Sequence, residues 1–145
     1  MTPYASATDA VTGIWSAGWP APDGVPVLWH HNTSDPAPSR AAGTKHWLHV
    51  AVEFMGERIV AYGGGLGSNE RELDGAVVIR VLAARGIGDA TQLQLLDQAL
   101  AVFRGVRVEP LTFIGEAAQP SPGATDDGAW WVRSAITAFV YRFRG

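Results

Sequence analysis

The spacing of apolar residues along this chain predicts two amphipathic helices. In the first, over Tyr4–Ala17, apolar residues recur at helical intervals, with Pro3 suited to a first turn and Gly18 to a stop. The second is predicted over Ala90–Arg104, with Gly105 as a C-terminal stop. Its expected apolar stripe consists of Leu93, Leu96, Leu100 and Phe103.

Three longer segments have the pattern of β-strands. Apolar and mixed residues alternate over His46–Phe54, which predicts a strand with one apolar face. The run Ala76–Ala83 contains a single charge, Arg80, and predicts a strand covered on both sides. Shorter candidates are Val25–His30, where Pro26 favours an edge strand or an irregular strand start, and Ile59–Tyr62, Val106–Val108 and Leu111–Ile114.

The last predicted strand, Trp130–Phe143, is unusually long, roughly 45 Å at about 3.3 Å per residue. Neither of its faces is cleanly polar, so it is either a central strand buried on both sides or a strand partly buried against another subunit. The segments Asn32–Thr44 and Gly63–Asn69 are predicted loops. Gly56–Gly75 and Glu116–Gly128 are the two most irregular stretches.

These elements predict an α+β fold: a mixed, mainly antiparallel sheet with a long C-terminal strand, packed by an N-terminal helix and a second helix. With 145 residues, 47% of them hydrophobic, the chain can form one domain over residues 1–145 with its own core. A net charge of -3 gives no basic surface for nucleic acid. We expect no direct nucleic-acid partner.

Several other classes of protein are disfavoured by the composition. The absence of cysteine excludes disulfides, thiolate zinc sites and cysteine nucleophiles, and is compatible with a reducing cytoplasm. Residues Met1–Asp9 lack the basic and apolar regions of a signal peptide. The apolar tract after Ala129 is interrupted by Arg133 and Arg142, so we expect no membrane insertion.

Histidine is the first residue type to consider for a metal site. Residues one or three apart on a strand point to opposite faces, so neither His30 with His31 nor His46 with His49 can face one ion. At most one histidine from each strand can converge. We therefore expect no metal site and no cofactor.

Gly86–Asp89 forms a Gly-x-Gly turn between a predicted strand and a helix, where a pyrophosphate could bind. Asp89, however, would place a carboxylate where the negative ligand must lie. Asp89 followed by Gln92 also resembles a capping box, which explains the same residues. The chain contains no Gly-x-Ser-x-Gly elbow, and the adjacent Asp126 and Asp127 supply no oriented base, so we predict no catalytic residues.

The order of five segments resembles a known family. These segments are Val25–Trp29, Trp47–Val52, Val77–Leu82 with the following Gly86 and Gly88, the helix end Ala101–Phe103, and Trp130–Phe143. Together they resemble the small tail terminator proteins of siphophages and phage-like gene transfer particles. The resemblance covers nearly all of the chain after Pro22.

The resemblance implies a structural, non-enzymatic virion protein. Its members form a homohexameric ring that caps the tail tube, ends tube polymerisation at the length set by the tape measure protein, and offers a surface for head joining. The implied partners are other copies of the chain, the tail tube protein and a head–tail connector or completion protein, with the tape measure protein as a further candidate. The implied location is the head-proximal end of the tail, after assembly in the bacterial cytoplasm.

We expect the two irregular stretches, Gly56–Gly75 and Glu116–Gly128, to carry contacts with other subunits or with the tube. The six tryptophans also favour a shared surface, because aromatic residues are enriched at interfaces. The candidate interface residues are Arg58, Arg71, Glu72, Arg85, Trp130 and Arg133. A tail completion or connector protein is the nearest alternative, and a small nucleotide-binding or enzymatic domain using Gly86–Asp89 is the alternative from another class.

Overall fold

The fold was analysed in a computed structural model, which describes residues 2–31, 38, 43–65, 67–118, 123–125 and 128–145. The predicted α+β fold, with a mixed, mostly antiparallel sheet and a long C-terminal strand, is confirmed. Its elements are α1 (Pro3–Gly18), β1 (Val27–Trp29), β2 (His46–Ala61), β3 (Glu70–Ala84), α2 (Ala90–Phe103), β4 (Arg107–Val108), β5 (Leu111–Ala118), β6 (Gly123–Ala124) and β7 (Trp130–Arg144).

All seven described strands belong to one sheet with the order β1-β2-β3-β7-β5-β4, and β6 pairs with β7. β1 runs parallel to β2, and the other neighbours are antiparallel. β3 and β7 pair along their whole length, from Glu70 opposite Arg144 to Ala84 opposite Trp130. The long C-terminal strand is therefore the centre of the sheet.

Both helices pack on one face of this sheet. That face carries Val50, Ile79 and Phe139, which are almost completely buried. The main core comprises these residues together with Ala7, Val11 and Trp15 of α1 and Leu95, Ala99 and Phe103 of α2. The opposite face, here called the helix-free face, carries small side chains such as Ala51 and Val78, and a smaller cluster around Trp47 and Trp130.

Burial along β7 differs between its two faces. Ala135, Thr137 and Phe139, which face the helices, are buried. Residues 132, 134, 136, 138 and 140, on the helix-free face, are only partly buried. The strand is central, as predicted, but it is not fully buried on both sides within one subunit.

The prediction that Gly56–Gly75 is irregular was wrong. β2 continues to Ala61 and β3 begins at Glu70, so only the connection between them lies outside strands. The strands continue here without apolar alternation because Arg58, Arg71 and Glu72 pair with charged residues of the neighbouring strands, as described below. The predicted Ile59–Tyr62 strand is the end of β2.

The predicted apolar stripe of α2 was also wrong. The buried residues are Gln92, Leu95, Ala99 and Phe103, whereas Leu93 is 42% exposed. Leucines at 93, 95, 96 and 100 are compatible with more than one helix orientation. The small side chain of Ala99 faces the core, and Leu96 and Leu100 pack at its margin.

Two other predicted loops, Asn32–Thr44 and Glu116–Gly128, lie only partly within the described residues. Of Asn32–Thr44, most lies outside the described residues. In Glu116–Gly128, β5 extends to Ala118 and β6 pairs with β7, so these parts of the predicted loop are strands. β1 lies at the edge of the sheet, as Pro26 predicted. Neither described helix has the length and apolar run needed to cross a membrane.

Candidate assembly surfaces

Three of the six candidate residues meet where β2, β3 and β7 extend beyond the helix-covered core. We call residues 55–62, 70–74 and 140–144 the hairpin end. β2 is mostly buried as far as Val52 but largely exposed from Met55 onward. Arg58, Arg71 and Glu72 all lie in this region. The hairpin end is therefore a regular three-stranded structure that presents much of its surface to solvent.

A row of ion pairs crosses the hairpin end on the helix-free face. Arg58, Glu72 and Arg142 are direct neighbours on β2, β3 and β7. The Glu72 side chain is 9% exposed and lies 2.6 Å from Arg58 and 3.0 Å from Arg142. Arg58 also lies 3.0 Å from Asp74. The hydrogen bond to Glu72 and the charge of Asp74 raise the pKa of Arg58.

The opposite side of the hairpin end is tied together by Arg71. Its guanidinium lies 3.4 Å from Glu57 on β2, and its Nε donates a hydrogen bond of 3.1 Å to a main-chain oxygen of Gly145. Gly145 also donates its amide to the Asn69 carbonyl at 2.9 Å. Arg71 therefore holds the end of β7 against the hairpin.

The hairpin end also exposes apolar side chains at irregular positions. The register of β2 against β3 shifts between Phe54 and Gly56, and again between Ile59 and Ala61, which leaves Met55 and Val60 as bulged residues. Met55 is 66% exposed, and Tyr62, just after β2, is 82% exposed. The hairpin end thus exposes apolar groups close to charges that are paired within the subunit.

A groove on the helix-free face adjoins the ion-pair row. It has a volume of about 310 Å³ and is lined by Glu72 and Arg142 together with residues of β4 and β5. Ile114, at the bulge in β5, is exposed there. The groove joins the hairpin end to the β4–β5 edge of the sheet.

The other three candidate residues lie far from the hairpin end. Arg85, Trp130 and Arg133 are at the opposite end of the β3–β7 pair, roughly 40 Å away at about 3.4 Å per residue. Trp130 is 5% exposed and packs edge to face on Trp47, with ring centroids 6.0 Å apart. The six candidates thus form two separate groups, and Trp130 is largely covered within its own subunit.

A pocket of about 300 Å³ lies at the Gly86–Asp89 turn, between β3 and α2. The Arg85 guanidinium lies 5.7 Å from the centre of the Trp131 ring, in a cation–π contact. Asp89 forms an ion pair with Arg133 at 2.7 Å. The pocket therefore contains a carboxylate that is already compensated by the chain itself.

The predicted capping box at Asp89 and Gln92 was wrong. Asp89 is the N-cap residue of α2, but its side chain makes no capping hydrogen bond. Instead it pairs with Arg133, a residue 44 positions later. Gln92 points inward, and its Nε2 donates to the Val81 and Trp131 carbonyls at 2.7 and 2.9 Å. Gln92 thus links the first turn of α2 to β3 and β7 through hydrogen bonds.

Of the four histidines, two have rings in contact with each other, His30 and His49. The His30 and His49 rings have centroids 5.6 Å apart, one from the turn after β1 and one from β2. Among the described residues, no group of three or more histidine, aspartate or glutamate side chains is placed to hold a metal ion. The two rings on their own form an incomplete ligand set.

Histidine burial gives a pH dependence that can be measured. Burial lowers the pKa of His46 and His49, with a further lowering from Lys45 and from Arg80 and His30, respectively. Below about pH 6.5 the unfolded chain therefore binds more protons than the folded chain. We expect the free energy of unfolding to fall as pH decreases from 7.5 to 5.5.

Urea unfolding at constant ionic strength measures this effect. In a variant carrying His46→Gln and His49→Gln, the change between the two pH values should be smaller than in the parent chain. His31→Gln, at an exposed residue, is the matched control and should retain the parent pH dependence. An equal pH dependence in the parent and the double variant would contradict the assignment.

Some residues of the hairpin end were missed by the sequence analysis. Asp74 and Arg142 complete the ion-pair row, and Met55 and Tyr62 provide its exposed apolar groups. The alternating charges of Glu70, Arg71 and Glu72 were the available signal, since alternation places them on opposite faces of a strand. Their partners on β7 could not be assigned without the strand register.

Comparison with known proteins gives the fold and no family. No protein-family model matches the sequence, and no curated protein matches it. A solved structure is similar over 94% of this chain and 96% of its own, with a TM-score of 0.60 and 16% sequence identity. At that identity the likeness shows that the two chains share an α+β fold across nearly their whole lengths.

Proposed function

We propose that this chain is a tail terminator, a structural virion protein that forms a ring, caps the tail tube, ends tube polymerisation and provides the surface for head joining. The order of sequence segments that resembles this family supports the proposal. The structural observation that carries it is the hairpin end, which presents exposed apolar side chains on a rigid three-stranded support.

The hairpin end has the physical properties of an assembly surface. Exposed apolar groups are enriched at protein interfaces, where a partner removes them from water. The charges beside Met55 and Tyr62 are paired within the subunit, so a partner does not have to supply counter-ions for Arg58 or Glu72. A surface with compensated charges and exposed apolar residues is suited to contact between copies or with the tube.

The proposed ring is a homohexamer of this chain. A ring requires a heterologous interface in which one surface contacts a different surface of the next subunit and closes after a fixed rotation. We propose that the hairpin end supplies one of these two surfaces. The proposed partners of the ring are the tail tube protein, a head–tail connector or completion protein, and the tape measure protein.

The proposed location follows from this role: the head-proximal end of the virion tail, after assembly in the bacterial cytoplasm. A tail completion or connector protein is the nearest alternative and would use the same surfaces. A nucleotide-binding or enzymatic domain remains a competing proposal, because a pocket does occur at Gly86–Asp89. Against it, Asp89 places a carboxylate in the pocket, where a phosphate would have to bind, and this carboxylate already pairs with Arg133.

A substitution at the hairpin end tests the proposal. We expect a variant carrying Met55→Ser and Tyr62→Ser to lose most ring formation and tube binding, because it removes the exposed apolar groups of the surface. Its free energy of unfolding should change by less than about 0.5 kcal/mol per substitution, since both residues are exposed. Co-sedimentation with tail tubes and size-exclusion chromatography measure these outcomes.

Matched controls come from exposed apolar residues elsewhere. Leu93→Ser on α2 should leave both readouts unchanged, and it removes a comparably sized group from a different surface. If rings and tube binding survive in the Met55 and Tyr62 variant, the hairpin end is not the assembly surface. If the parent chain itself forms no ring and binds no tube, the tail terminator proposal is wrong.

A further inference from the structure

A cluster of basic side chains lies on the helix-free face, at the other end of β2 from the hairpin end. His49 of β2 is the direct cross-strand partner of Arg80 on β3. On the other side of His49 is β1, which is followed by His30. The two imidazole rings meet edge to face, with centroids 5.6 Å apart. We call His30, His49 and Arg80 the basic cluster.

The basic cluster has no counter-ion among the described residues. Arg58, Arg71, Arg104, Arg133 and Arg142 each form an ion pair with an aspartate or glutamate. Arg80, like Arg85, Arg107 and Arg144, pairs with no carboxylate of the described residues, and unlike those three it is the direct cross-strand partner of a histidine.

The neighbours of the cluster do not compensate its charge. The partner of Arg80 on β7 is the neutral Ser134. The next carboxylate along this face of β2 is Glu53, roughly 13 Å from His49 at about 3.3 Å per residue.

Protonation of His49 is disfavoured when no anion is bound. Burial, the charge of Arg80 and the charge of His30 together lower the pKa of His49. His49 is thereby kept neutral, and a proton on it would face a guanidinium on one side and a second imidazole on the other. A bound anion reverses this balance, because it attracts all three groups at once.

We propose that the basic cluster binds an oxyanion, a carboxylate or phosphate group, and that binding is coupled to proton uptake by His49. A guanidinium offers several N–H donors in a planar fork that matches two oxygens of such a group. The imidazoles add donors from the neighbouring strand and turn when they are protonated. Arg80 and His49 are half-buried and His30 is exposed, so the site opens to solvent.

This site does not depend on the proposed tail terminator function, and it lies away from the hairpin end. A carboxylate would come from an acidic side chain of another protein chain. A phosphate would come from a small phosphorylated ligand. The two sources share the same recognition chemistry, and they are separated by the choice of probe.

The test follows the His49 imidazole by nuclear magnetic resonance in sodium chloride, sodium acetate and sodium phosphate at equal ionic strength. We expect acetate or phosphate, but not chloride, to raise the pKa of His49 in a saturable way. If one proton is taken up with each anion, affinity should rise by up to about tenfold per pH unit as pH falls. A stronger response to acetate indicates a carboxylate ligand, and a stronger response to phosphate indicates a phosphate ligand.

Substitutions distinguish anion binding at the basic cluster from general screening of charges by salt. Arg80→Gln should abolish the anion-dependent shift of His49, whereas Arg107→Gln, at an exposed arginine on β4, should retain it. His30→Gln, at an exposed residue, should weaken the shift and provides a second test if Arg80→Gln does not fold. Equal responses to all three salts, or an unchanged response in both cluster variants, would overturn the proposal.

Discussion

Replacing Phe103 with alanine is expected to lower the free energy of unfolding by about 3–5 kcal/mol. Phe103 is fully buried at the end of α2, and its ring lies 5.9 Å from Trp15 of α1 and 4.8 Å from Phe113 of β5. The substitution therefore removes contacts with two other elements and leaves a cavity in the main core. Urea unfolding measures the change, which is a large part of the roughly 5–15 kcal/mol that stabilises a typical domain.

The control for this prediction is Leu93→Ala on the same helix. Leu93 belongs to the apolar stripe predicted from sequence, but it is 42% exposed. Its replacement should change the free energy of unfolding by no more than about 0.5–1 kcal/mol. If Leu93→Ala destabilised the protein as strongly as Phe103→Ala, the observed orientation of α2 would be wrong.

Adding a single methyl group at Gly75 is expected to destabilise the protein by about 1–3 kcal/mol. Gly75 on β3 is directly opposite Phe139 on β7, and the phenylalanine ring covers it. A Cβ at Gly75 would come within 3.0 Å of three ring carbon atoms of Phe139. Phe139 is buried, so it cannot move away without disturbing the core.

Gly13→Ala in α1 is the same chemical change, but we expect it to stabilise the protein. A Cβ at Gly13 meets no atom within 4 Å. Since alanine is a better helix former, this variant should be more stable by about 0.5–1 kcal/mol. Thermal unfolding of both variants gives the comparison. A Gly75→Ala protein as stable as the parent would contradict the close contact with Phe139.

The parts of the fold that the sequence predicted well are those in which local pattern and tertiary environment agree. Alternation over His46–Phe54 predicted the buried half of β2, and the long run Trp130–Phe143 predicted β7 to within one residue. The helix-facing side is apolar over His46–Phe54 and mainly apolar in β7, where Arg133 and Thr137 are the polar residues. That side is buried whichever strands are its neighbours.

The wrong predictions share a different origin, which is dependence on residues far away in the chain. The second half of β2 is held by pairing of Arg58 with Glu72 and of Glu72 with Arg142, across 14 and 70 positions. Asp89 does not cap α2 because Arg133 binds its carboxylate. In the first case the local pattern of charged residues and glycine resembles a loop, and in the second it resembles a capping box. Only the contacts between distant residues show otherwise.

The six candidate interface residues form two separate groups because their positions also depend on contacts between distant parts of the chain. Arg58, Arg71 and Glu72 come together because β2 and β3 form one long hairpin. Arg85, Trp130 and Arg133 come together at the opposite end because β3 and β7 pair antiparallel along their full length. Proximity in the structure was therefore decided by strand pairing, which was not part of the sequence prediction.

The central claim is that this chain assembles into a ring on a tail tube. The most direct measurement combines light scattering with negative-stain electron microscopy of the purified chain, alone and with tail tubes. We predict sixfold rings with six times the subunit mass, either free or at one end of each tube. A chain that stays monomeric with and without tubes, and binds nucleotide at Gly86–Asp89, would contradict the claim.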